Sequence, residues 1–106
     1  MATGRMHMSR PAALRFLAAL RRHGWQATTW EIARATGSLN VHCDCSSARM
    51  LLEQFGLDGR AELTCQFAET TEAGRRIYIY RLRPRAAELA RRLLADDAAA
   101  VQAALF

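Results

Sequence analysis

Apolar residues recur three and four apart from Pro11 onward. Ala13, Phe16, Leu17 and Leu20 form one stripe, with Arg15, Arg21 and Arg22 off it. That spacing predicts an amphipathic helix. Pro11 suits its first turn, and Gly24 suits the residue just past its end. Trp25 to Ala27 reads as a short extended link, with Trp25 expected to pack on a later hairpin. Thr28-Thr29-Trp30-Glu31 then reads as a capping box, a hydroxyl and a carboxylate satisfying two orphan amides. A second helix follows over Thr29 to Ala35, offering Trp30, Ile32, Ala33 and Ala35 to the core. Thr36 to Asn40 is a turn with Gly37 at its start. A third helix begins between Val41 and Ser46 and ends at Phe55-Gly56. Its inward stripe is expected to be Cys45, Ala48, Leu51, Leu52 and Phe55.

The pattern then changes period. Ala61 to Phe67 alternates, with Leu63, Cys65 and Phe67 on one face. Arg76 to Leu82 is rich in β-branched and aromatic residues. Together they predict an antiparallel hairpin with a long polar tip from Ala68 to Arg75. Pro84 opens a last helix, with Leu89, Leu93, Val101 and Leu105 on one side. The expected class is therefore α+β, mainly α. The first nine residues carry no periodic pattern and are expected to be disordered. Residues 10–83 form the domain, and residues 84–106 form an added helix.

Composition narrows the functional classes. The 106 residues fit one domain, and 51% are hydrophobic, too many for a disordered chain. The formal charge is +5, carried entirely by arginine. Such a charge favours polyanions through the long-range field and counterion release. No apolar run is long enough for a bilayer, and the N-terminal stretch lacks a signal-peptide core. Three cysteines make a disulfide framework unexpected and point to a reduced, cytoplasmic setting.

Little in the chain offers enzyme chemistry. There is no nucleophile elbow, glycine-rich phosphate loop or paired-carboxylate spacing. His42-Cys43-Asp44-Cys45, with Cys65 downstream, suggests a metal site at first sight. One residue between thiols is short of the usual two to four, and on a helix it points them apart. On an extended segment the same spacing would put both thiols on one face and leave a site open; no metal or cofactor is expected.

The order helix, link, helix, turn, helix, hairpin, helix resembles the winged helix-turn-helix family. Three stretches carry the resemblance: Thr28-Thr29-Trp30-Glu31-Ile32-Ala33-Arg34-Ala35-Thr36-Gly37, Arg49 to Gly56, and Gly74 to Leu82. The ending Gly-Arg-Arg-Ile-Tyr-Ile-Tyr-Arg-Leu is similar to small winged-helix proteins of phages. The resemblance implies a DNA-binding regulator with helix three in the major groove and the hairpin as a wing. His42, Ser46, Ser47, Arg49 and Met50, with Arg75 and Arg76 on the wing, would then face double-stranded DNA. The family often dimerises through helix extensions, which would use Leu89, Leu93, Val101 and Leu105, unless these fold back onto helix one. The near-neutral helix three and the acidic Glu69 and Glu72 keep a second reading open: the same fold binding a protein partner, as an anti-CRISPR-type or host-takeover inhibitor.

Overall fold

The computed structural model describes residues 8–105. The expected disorder of the first nine residues therefore falls mostly outside the described part. The architecture is α+β and mainly helical, with a small three-stranded antiparallel sheet. Its elements run α1 (Arg10–Arg22), β1 (Gln26–Thr28), α2 (Thr29–Thr36), α3 (Val41–Glu53), α4 (Gly59–Glu62), β2 (Leu63–Thr70), β3 (Arg76–Leu82) and α5 (Pro84–Leu105).

Helix α1 starts where Ser9 Oγ accepts the Ala12 amide, and buries Ala13, Phe16, Leu17 and Leu20 completely. Its exit is abrupt. Gly24 and Trp25 both take positive φ, near +70°. For a bulky residue this conformation costs about 1–2 kcal/mol. Trp25 is held there from three sides. Its amide donates to Leu20 C=O at 2.7 Å, and its carbonyl accepts Leu82 N–H at 2.9 Å. The Arg91 guanidinium carbon lies 5.4 Å from its ring centre. The reversal swings the chain into β1, which the sequence suggested only as an extended link.

The capping box forms as read. Thr28 Oγ1 accepts Glu31 N–H at 3.1 Å, and Glu31 Oε1 accepts Thr28 N–H at 2.9 Å. Helix α2 ends at Gly37 in the left-handed region, its amide bonded to Ala33 C=O at 2.8 Å. Only Ile32 is fully buried on α2. Trp30, expected in the core, is 57% exposed. Two residues from Ile32 on a helix is close to the opposite face, so one short helix cannot bury both.

Helix α3 is capped by Asn40, whose Oδ1 accepts the Cys43 amide. Its buried stripe includes Cys45, Ala48, Leu51 and Leu52 as expected, with Val41 added. Phe55 is not part of it: α3 stops at Glu53, and the following turn leaves Phe55 half exposed. Helix α4 was not foreseen. Asp58 Oδ1 caps it by accepting the Arg60 and Ala61 amides, and Gly59 is pressed against the α3 backbone at Arg49.

Strand β3 lies between β1 and β2. On the core face, Leu63 faces Leu82, Cys65 faces Tyr80, and Phe67 faces Tyr78. Burial falls along this series, complete at Leu63 and slight at Phe67. The hairpin thus leaves the helices behind as it extends. A bulge between Phe67 and Glu69 precedes the turn. At the base, Tyr80 meets Phe16 edge to face, ring centres 5.4 Å apart.

Helix α5 returns along α1 and buries Ala86, Ala87, Ala90, Leu93 and Leu94. Every residue from Ala95 to Ala104 is exposed. The four residues expected at a dimer contact therefore separate. Leu93 belongs to the chain's own core, and Leu89 is partly buried against it. Val101 lies free, and the Leu105 side chain is outside the described part. Fold-back, the other outcome left open by the sequence, accounts for the first half of the helix.

Candidate nucleic-acid interface

Helix α3 turns one face to the core and shows the opposite face to solvent. His42 and Glu53 are exposed there, with Ser46 and Met50 half exposed. Ser46 Oγ donates back to His42 C=O at 3.2 Å. Ser47 does not join this face. It is buried, and its Oγ accepts the Ser9 amide at 3.1 Å, tying α3 to the start of α1. It is removed from the expected contact set, because it sits on the border of the buried stripe that α1 covers.

Arg49 lies on the opposite border. Its Nε donates to Leu63 C=O at 2.9 Å, bonding α3 to β2. A guanidinium has five N–H donors, so this bond leaves four. Arg49, Ser46, Met50, Glu53 and Arg60 line a cleft of about 180 Å³. Sequence reading passed over Arg60, since nothing in a Gly-Arg-Ala run marks it. The Asp58 cap and the four-residue helix put it across from Arg49.

The hairpin contributes the second half of the surface. Arg75 and Arg76 are exposed where β3 begins. With His42 they border a groove of about 490 Å³ between α2, the turn and β3, also lined by Trp30, Leu39 and Tyr78. Rings continue along its edge: His42 is 6.3 Å from Tyr78, and Phe67 is 5.8 Å from Tyr78, edge on. Of the seven expected contact residues, Ser46, Arg49 and Met50 line the cleft on α3, His42, Arg75 and Arg76 line the groove, and Ser47 lines neither.

No family model, curated protein or solved structure matches the chain.

The charge of this surface is mixed. Among the described residues, Glu88 pairs with Arg91 and His23 Nδ1 lies 3.4 Å from Glu31, while none of Arg49, Arg60, Arg75 and Arg76 has a carboxylate partner. These four arginines share the surface with Glu53, which lines the cleft, and with Glu69 and Glu72 near the hairpin turn. The three cysteines line neither the cleft nor the groove. All are free thiols, and among the described residues no cluster of three His, Cys, Asp or Glu side chains could hold a metal. Cys45 is buried, which pushes its thiol up to about 12. Burial, then the neighbouring Cys65 and Cys45 thiols, also push the Tyr80 hydroxyl well above its ordinary value. Neither group is poised to act as a nucleophile or base near pH 7. No helix among the described residues is long and apolar enough to cross a membrane.

Proposed function

We propose that the chain is a winged helix-turn-helix module that binds duplex DNA with α3 and the β2–β3 hairpin. One observation carries the reading. His42, on the outward face of α3, shares a groove with Arg75 and Arg76 of the hairpin, and among the described residues neither these arginines nor Arg49 forms an ion pair. The element order and the β1-β3-β2 sheet suit a winged helix. In this mode α3 would enter the major groove, with Arg49 and Arg60 reaching base edges or phosphate and Arg75 and Arg76 holding the backbone. A second copy would pair through the exposed end of α5 around Val101, giving a regulator of two-fold symmetry.

Binding of the full chain to a random 20-base-pair duplex, followed by fluorescence anisotropy at about 50 and 200 mM salt, tests this. Binding should weaken steeply with salt, roughly tenfold or more for every two or three phosphates contacted. Arg60→Ala and Arg76→Ala should weaken it further without changing the melting temperature, since both side chains are exposed. Absence of binding at both salt concentrations would overturn the proposal. The exposed apolar side chains Trp30 and Leu39 favour a protein partner as the second reading, and they offer nothing to a phosphate backbone.

A further inference from the structure

The groove between α2 and β3 differs from the α3 cleft in its chemistry. Its floor is Ala33, Val41, Ile77 and Tyr78, and its rim carries Trp30 and Leu39. Leu39 is fully exposed, and Trp30 more than half exposed. Ordinary surfaces scatter such residues singly. Here two of the few large exposed apolar side chains bracket one depression. A third, Phe67, leans on Tyr78 at its edge. The trough continues past Trp30 into a second depression of about 410 Å³, lined by Thr28, Glu69, Thr71, Arg75 and Ile77. The volume of the main groove, about 490 Å³, lies in the usual range for ligand sites.

The charged side chains that line the main groove are Arg75 and Arg76, and the carboxylate of the trough, Glu69, lies in the adjoining depression. Neither arginine has an ion pair among the described residues. An occupant that satisfies both features must bring apolar anchors for the Trp30–Leu39 rim and carboxylates for the arginine end. A nucleic-acid strand supplies negative charge along its whole length but, beyond a thymine methyl, little aliphatic surface to cover Leu39. A protein segment with leucine or phenylalanine among acidic residues supplies both.

We infer that this groove is a docking site for an acidic peptide segment with aliphatic or aromatic anchors, separate from the α3 cleft. The anchors sit between Trp30 and Leu39, while the carboxylates pair with Arg75 and Arg76. Because those arginines also belong to the wing, an occupied groove removes them from any other polyanion.

The test uses the full chain and a labelled 12-residue peptide of glutamates bearing two leucines and a phenylalanine. Three probes accompany it: the same peptide with the anchors changed to alanine, one with the glutamates changed to glutamine, and a 12-nucleotide single strand. Saturable binding of the first peptide is expected, weakened at least tenfold by Leu39→Glu and by Arg75→Glu. Both substituted side chains are exposed, so both variants should keep the wild-type melting temperature. The anchor-free and glutamine peptides should bind at least tenfold more weakly. On titration, the indole N–H resonance of Trp30 should shift while that of Trp25 stays in place. Absence of saturable binding, equal binding of the anchor-free or glutamine peptide, or indifference to Leu39→Glu would each overturn the inference. So would tighter binding of the single strand with the same sensitivity to Leu39→Glu, which would make the groove a nucleic-acid site.

Discussion

The side chain of Thr29 pairs with the backbone of Tyr78 as a strand residue would. Its Oγ1 accepts Tyr78 N–H at 3.0 Å and donates to Tyr78 C=O at 3.3 Å. Strand β1 ends one residue earlier, with Thr28 opposite Ile79. At Thr29 the backbone has already turned into α2, and the hydroxyl takes over the next rung of the ladder. One residue therefore starts the helix and fixes the hairpin strand beside it.

Thr29→Val keeps the shape and removes the hydroxyl. Tyr78 then has a half-buried amide without its acceptor, which should cost about 1–3 kcal/mol. Urea denaturation should show that loss, and Thr29→Ser should recover most of it. Equal midpoints for the valine variant and the wild type would count against the pairing.

Gly59→Ala should destabilise the fold, although alanine is ordinarily the better helix residue. A Cβ on Gly59 would lie 2.7 Å from the Arg49 carbonyl oxygen and 2.9 Å from the Arg49 Cβ. Backbone must move to admit it, at a cost of about 1–3 kcal/mol. The Arg49–Leu63 bond should loosen as well, so any duplex affinity that depends on Arg49 should fall with stability.

Glu31 gives the capping box a pH signature. The Thr28 amide, bonded to its carboxylate, holds its pKa below the usual 4.5; slight burial opposes this, and the Thr28 hydroxyl and His23 reinforce it. A carboxylate depressed in the folded state adds stability above its unfolded pKa and loses it as pH falls through the folded value. Glu31→Ala should therefore lower the melting temperature at pH 7. The gap should close as the pH drops below about 4. A gap that stays constant down to pH 3 would contradict the assignment.

Cys45 should be inert in the native protein. With its thiol at about 12, almost no thiolate forms at pH 8. A disulfide reagent should modify the half-buried Cys43 and Cys65 first and reach Cys45 only on unfolding. Cys45→Ser should leave the native-state titration unchanged.

What the sequence disclosed was whatever depends on near neighbours. The Thr28–Glu31 box, the Gly37 stop and the Pro84 start are decided within a few residues, and all stand where the pattern put them. Strand β1 has three residues and owes its existence to β3, more than fifty positions away. Helix α4 is a single turn held by Asp58, too short for any periodicity. At the candidate surface, the centre of the α3 outward face was legible and its borders were not. Ser47 and Arg49 flank the buried stripe on either side. Only the position of α1 and β2 decides that the first is covered and the second is tethered.

Helix α5 has two regimes of local stability along one continuous hydrogen-bonded backbone. Up to Leu94 it is secured by burial against α1, so its amides open only with the body of the fold. Beyond Ala95 it stands on alanine propensity alone, which is marginal for three turns without tertiary support. Amide exchange should therefore slow sharply between Ala99 and Ala90. A protease acting in the outer turns should shorten the chain without unfolding what remains. Any contact that covers those turns would show itself as new protection there, well before it moved the melting temperature of the whole.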